Sequence, residues 1–180
     1  MVTIHYSKQE IIDELLETNI IKYGDFVLKS GERSDFYADI KMLVSYPKLV
    51  TKIMSVITDK LSVLIDIETN KNDYVICGVP YGGIYFASVL SLFTGIPMIL
   101  LRNDIKSHGT KKRVEGNYRG KKVILIEDVI TTGSSIIESI LLLKAEGLDV
   151  DNVFVILDRE KNGFINVQTK FKEIGMDRLK

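Results

Sequence analysis

The chain is 180 residues long, 46% apolar and 27% charged, which is enough apolar chain for one ordinary domain core and far from the composition of a disordered tail. Its 24 basic residues balance its 24 acidic ones, so a nucleic-acid protein held by bulk positive charge is not expected. One cysteine, Cys77, excludes an internal disulfide or multi-thiolate metal site, and the two histidines, His5 and His108, give zinc catalysis no ligand set.

Met1 to His5 carries no charged-then-apolar signal pattern, and no apolar run nears the roughly 18 residues that cross a bilayer. The expectation is a soluble, cytoplasmic protein with no membrane partner. Ser7-Lys8-Gln9-Glu10 reads as a capping box opening a helix whose Ile11, Ile12, Leu15 and Leu16 share one face. Alternation from Gly24 to Ala38 around a Ser-Gly-Glu-Arg turn predicts a β-hairpin. Pro47 suits a helix start, and Leu49, Val50, Ile53, Met54, Ile57 and Leu61 follow at helical spacing.

The second half alternates strands with helices. Strands are predicted over 74–78, 96–101, 121–126 and 153–157, and helices over 84–92 and 134–146. The second helix should turn Ile136, Ile137, Ile140, Leu141 and Leu143 inward and end on Gly147. Near-continuously apolar strands separated by helices imply an α/β fold with a central, mostly parallel sheet buried on both faces. Such sheets bind ligands at the carboxyl ends of their strands. No repeat, low-complexity tract or linker divides the chain.

The most informative run is Val123 to Ser135: an apolar strand, the acids Glu127 and Asp128, then Val129-Ile130-Thr131-Thr132-Gly133-Ser134-Ser135 leading into a helix. A Thr/Gly/Ser turn at a helix start offers backbone N–H groups and hydroxyls to a phosphate. The acids stand one step before it, where a sugar's hydroxyls lie if the phosphate is its 5′ group. No lysine completes a Walker A loop, and no Gly-x-Gly-x-x-Gly is present. A plain Ser/Thr-capped helix is the blander alternative, although two adjacent acids would crowd the dry end of a sheet. A second cluster, Arg102 to Lys112, is long, polar and cationic, either a solvated surface connection or a lid that meets a polyphosphate.

At Val123–Ser135 the chain resembles the type I phosphoribosyltransferases, whose signature for phosphoribosyl pyrophosphate (PRPP) has this order and length. Three further segments are similar to orotate phosphoribosyltransferases, above all the transferase domain of UMP synthases: Phe26 to Gly31 followed by Ser34-Asp35-Phe36-Tyr37; the lid pattern Arg102 to Gly109; and Leu157-Asp158-Arg159-Glu160. The resemblance implies a single phosphoribosyltransferase domain over 1–180, with an N-terminal helix and hood over about 1–45, a core over 46–160 and a shortened segment over 161–180. It implies transfer of phosphoribosyl from PRPP to orotate, giving orotidine 5′-monophosphate and pyrophosphate in UMP biosynthesis, with Mg²⁺ held mainly through PRPP and water. PRPP binding falls to Lys29, Tyr81, Arg102, Lys106, His108, Glu127, Asp128 and residues 129–135. Orotate binding falls to Lys29, Tyr37, Thr131 and Arg159, and catalysis to Lys106, His108 and Asp128. A homodimer with the lid shared across subunits is also implied.

Residue types alone leave alternatives: Lys29 as an ordinary hairpin lysine, Arg159 paired with Asp158 or Glu160, Tyr81 as a loop tyrosine over the core. Rival functions are a purine-type transferase and a non-catalytic PRPP-sensing regulator. Two positions depart from the family pattern, since Asn103 and Gly82 stand where lysines are common. Lys111 or Lys112 could compensate. The usual last strand and helix are not both found after Lys170.

Overall fold

A computed structural model describes residues 6–27, 31, 33–103 and 113–174. The chain forms two compact units, residues 1–56 and 57–180.

In the first unit, helix α1 (Lys8–Glu17) starts at the expected capping box. The Ser7 N–H donates to Glu10 Oε2 at 2.7 Å, and the Glu10 N–H donates to Ser7 Oγ at 3.1 Å. The expected apolar face is narrower than predicted: Ile11 and Leu15 are buried, while Ile12 and Leu16 are exposed. An i, i+4 pair buries a thinner stripe than the four residues together would need. Strands β1 (Ile21–Val27) and β2 (Arg33–Ala38) form the predicted antiparallel hairpin, running from Ile21 opposite Ala38 to Val27 opposite Arg33. Helix α2 (Pro47–Leu64) follows, with the unit boundary inside it. All six of its predicted apolar positions are buried.

The second unit runs α3 (Ile67–Asn70), β3 (Tyr74–Gly78), α4 (Gly82–Thr94), β4 (Met98–Leu101), β5 (Val114–Glu115), β6 (Lys122–Ile130), α5 (Ser134–Ala145), β7 (Val150–Asp158) and α6 (Gly163–Glu173). The sheet order is β5-β4-β3-β6-β7, parallel except for the β4–β5 pair. Every residue of β3 is buried, as a central strand covered on both faces requires. The core is built from Val75, Cys77, Val123, Leu125, Ile136, Ile140 and Leu143, joined by Val167 and Phe171 of α6.

Three expectations need correction. Strand β6 does not stop at Ile126: it pairs with β7 as far as Ile130 opposite Asp158, so Glu127 and Asp128 lie within the ladder. Leu141 is exposed on α5 rather than inward, because the wall of that helix is filled by Ile136, Ile140 and Leu143. A last helix, α6, does exist. Its start carries no side-chain cap; Asn162 precedes it at φ 62°, so the usual Ser/Thr/Asp signal is missing. Gly147 does close α5, just past its Glu146 cap and at a left-handed φ of 79°.

Candidate active site

The connection out of β3 leads by way of α4 to β4 on one side, while β6 lies on the other side of β3. The strand order therefore reverses between β3 and β6, which opens a crevice at their carboxyl ends. Two turns flank this crevice: Val79–Tyr81 before α4, and Thr131–Gly133 before α5.

The turn before α5 is a small concavity of about 170 Å³ lined by Glu127 and residues 129–136. Gly133 takes a φ of 82° and no side chain caps the first turn of α5. The leading N–H groups of that helix thus stand at the positive end of its dipole without a protein side chain to satisfy them. Thr132 and Ser134 sit with their hydroxyls 3.2 Å apart. Small residues, N–H groups and hydroxyls, with no positive side chain among the lining residues, suit an anion of phosphate size.

Glu127 and Asp128 precede this cradle and are only 5% and 6% exposed. Both are anchored by their own backbone: Glu127 Oε1 accepts from the Asp128 N–H at 3.0 Å, and Asp128 Oδ1 accepts from the Val129 N–H at 2.9 Å. The start of α4 closes over Asp128 from the β3 side. A Cβ built on Gly82 would lie 2.0 Å from Asp128 Oδ2 and 2.3 Å from its Cγ. Gly82 is therefore more than an absent lysine: its missing side chain is the space the carboxylate occupies. Before it, the Pro80–Tyr81 peptide is cis and Tyr81 is 77% exposed.

On the far side, β7 and α6 back the cradle. The Arg159 N–H donates to the Ile130 carbonyl at 3.0 Å, and Asn166 Nδ2 donates to the Thr132 carbonyl at 2.9 Å. Arg159 is half-buried beside Asp158, whose carboxylate accepts from the Glu160 N–H at 2.8 Å.

Arg102 leaves β4 and pairs with Glu115 at 3.1 Å, while its backbone N–H donates to the Arg113 carbonyl at 2.9 Å. The Arg113 guanidinium donates to the Asn103 carbonyl at 2.8 Å. Both ends of the predicted lid are thereby tied together at β4 and β5. Lys106, His108, Lys111 and Lys112 lie outside the described residues, as does Lys29. Tyr37 belongs to the first unit, on β2 opposite Lys22, with its ring 5.7 Å from that of Phe26. A larger open hollow of about 430 Å³ lies along this hairpin at Gly24, Asp25 and Arg33–Asp35. Its one arginine is engaged with Asp25 at 3.3 Å, and it has no helix start to receive an anion.

The cradle, the buried acids and α4 thus converge within the second unit. The contacts of Gly82 and Asn166 bring together residues 46 and 34 positions apart, and no local pattern announces them.

Residues 46–170 match the model of the phosphoribosyl transferase domain. An orotate phosphoribosyltransferase of Pyrococcus horikoshii is 40% identical over 162 residues, covering 89% of this chain and 84% of that protein. A uridine 5′-monophosphate synthase of Caenorhabditis elegans is 36% identical over 159 residues, covering 87% of this chain and 31% of that longer protein. The crystal structure of orotate phosphoribosyltransferase from Aeropyrum pernix superposes with a TM-score of 0.71 short of unity by little more than its loops would account for only in part; its value is 0.68, at 27% identity, over 93% of this chain and 99% of that one. A parallel sheet that reverses its order beside two buried acids and an uncapped helix start is thus found where the family model lies, and the chain belongs to the phosphoribosyl transferase domain family.

Proposed function

We propose that this chain is an orotate phosphoribosyltransferase: it moves the phosphoribosyl group of PRPP to orotate, releasing pyrophosphate and forming orotidine 5′-monophosphate for UMP biosynthesis. The observation that carries this reading is the pair of buried carboxylates, Glu127 and Asp128, set one step before the uncapped start of α5. The names of relatives above 30% identity support the choice of base.

In this reading residues 131–135 hold the 5′-phosphate, with Val129 and Ile130 shaping the floor, and Glu127 and Asp128 accept hydrogen bonds from the ribose 2′ and 3′ hydroxyls. Fixing both ends of the sugar leaves C1 as the point free to move. As the C1–O bond breaks, the ring gains positive charge and pyrophosphate takes up the electron pair. Asp128, close to the ring, favours that positive charge by electrostatics. Arg102, Lys106, His108 and Lys29 receive the leaving group, with Tyr81 bordering it. Arg159 presents a planar fork to the orotate carboxylate, and Tyr37 and Thr131 border the base. A closed lid keeps water from capturing the sugar cation.

Mg²⁺ fits this donor set. Among the described residues no group of three or more His, Cys, Asp or Glu could hold a metal ion. Two carboxylates beside a polyphosphate site suit a cation that takes most of its ligands from substrate and water. Bound there, it would neutralise charge on the pyrophosphate. We further propose a cytoplasmic homodimer in which each lid serves its neighbour's site; among the described residues no helix is long and apolar enough to span a membrane.

The test is loss of orotate absorbance on adding PRPP and Mg²⁺, with adenine, hypoxanthine and uracil as controls. Turnover of orotate alone supports the proposal. Turnover of a purine instead, or of no base, refutes it.

A further inference from the structure

Three successive carbonyls of the cradle turn the same way, toward β7 and α6. That of Ile130 accepts from the Arg159 N–H at 3.0 Å. That of Thr131 faces Gly163 so closely that a Cβ there would lie 2.6 Å from the oxygen. That of Thr132 accepts from Asn166 Nδ2 at 2.9 Å. In a planar trans peptide the C=O and the following N–H point in opposite directions. Holding these carbonyls back therefore turns the N–H groups of Thr131, Thr132 and Gly133 forward, away from α6. Successive N–H groups aimed to one side form an anion-binding nest.

The first two anchors are backbone contacts, one a strand ladder and the other a close approach of main chains. The third depends on a side chain. Gly133 follows at a φ of 82°, where a Cβ would meet Val167 Cγ2 at 2.6 Å and the Gly163 carbonyl at 2.8 Å. The loop thus lies flush on α6, but flush packing does not choose which way the Thr132–Gly133 peptide faces. The Asn166 amide does, because a flipped peptide would present an N–H to its Nδ2 donor.

We propose that Asn166 is a positioning residue of the phosphate cradle, holding the Thr132 carbonyl so that the Gly133 N–H points at the 5′-phosphate. This rests on reading residues 131–135 as the phosphate site. Asn166 touches no substrate; it acts through the peptide it holds. Its side chain is exposed, so its removal leaves no core cavity.

The experiment measures ribose 5-phosphate and magnesium pyrophosphate separately, by calorimetry, on the full chain and on Asn166→Ala and Asn166→Leu. Alanine removes the amide; leucine keeps comparable bulk without the donor. The expected result is ribose 5-phosphate affinity weakened roughly three- to tenfold, the size of one net hydrogen bond, in both variants. Pyrophosphate affinity should stay at the wild-type value, and the KM for PRPP should rise more than kcat falls. Thermal unfolding of each variant, followed alongside, should match the wild type. If wild type binds ribose 5-phosphate and both variants bind it equally well, the role of Asn166 is refuted. Equal weakening of both ligands refutes it too, since the effect would then be general. If wild type fails to bind ribose 5-phosphate, the phosphate-site reading itself falls, and this inference with it.

Discussion

Gly82 offers the sharpest perturbation. Many family members carry lysine there, so Gly82→Lys looks like a gain of one pyrophosphate cation. The geometry predicts a loss. The Cβ alone would come within 2.0 Å of Asp128 Oδ2, 2.3 Å of Cγ and 2.7 Å of Oδ1, so the whole carboxylate must leave its place. Leaving it breaks the 2.9 Å hydrogen bond from the Val129 N–H. A hydrogen bond to a charged group contributes about 1.5–3 kcal/mol. At about 1.4 kcal/mol per factor of ten, misplacing Asp128 should lower kcat/KM for PRPP roughly ten- to a hundredfold. Gly82→Ala should lose about as much as Gly82→Lys, because the first carbon does the damage. Its φ is not in the left-handed region and alanine favours helices, so thermal stability should not fall in proportion. The assay is orotate absorbance against PRPP concentration, on Gly82→Ala, Asp128→Ala and the double variant. In the double variant the Cβ has no carboxylate to displace, so the two losses should fail to add. Wild-type kcat/KM in Gly82→Ala, or fully additive losses, would refute the reasoning.

Asn103→Lys differs: its backbone carbonyl is engaged by Arg113 but its side chain is not part of that contact, so an added cation should lower the KM for PRPP, and an unchanged KM would count against a pyrophosphate role at that position. If sites are shared across a dimer, mixing inactive Arg159→Ala and Lys106→Ala proteins should recover part of the activity; none, despite proven subunit exchange, would reject sharing. Burial pushes the Cys77 thiol up to about 12, so a disulfide reagent at pH 8 should label the chain only after unfolding. Burial, then the hydrogen bond to Asp151, pushes the Tyr74 phenol up to about 12 from its usual 10. The native state therefore keeps that proton at pH values where the unfolded chain has released it. The resulting stability is complete below about pH 10 and is lost as pH rises toward 12, so denaturant midpoints of Tyr74→Phe should decline less steeply across that range.

The parts of this molecule written in contiguous residues were readable without coordinates. The capping box of α1 is local, as are the six-residue stripe of α2 and the strand–acid–acid–loop–helix run of β6 and α5. Where tertiary contacts decide, reading the chain failed or fell short. The end of β6 depends on β7 reaching Asp158, so the acids were placed after the strand instead of inside it. Helix α6 lacks a capping side chain, and Asn162 and Gly163 read as a turn until their packing on the cradle is seen. Ile12, Leu16 and Leu141 follow helical spacing yet are exposed, because spacing gives a face but not its width.

The most direct test of the account is a crystal structure of the full chain with PRPP and Mg²⁺ bound. The account predicts the 5′-phosphate against the N–H groups of Thr131–Ser135, with the ribose hydroxyls on Glu127 and Asp128. A donor found with its phosphate elsewhere, such as the hollow beside Arg33, would contradict it.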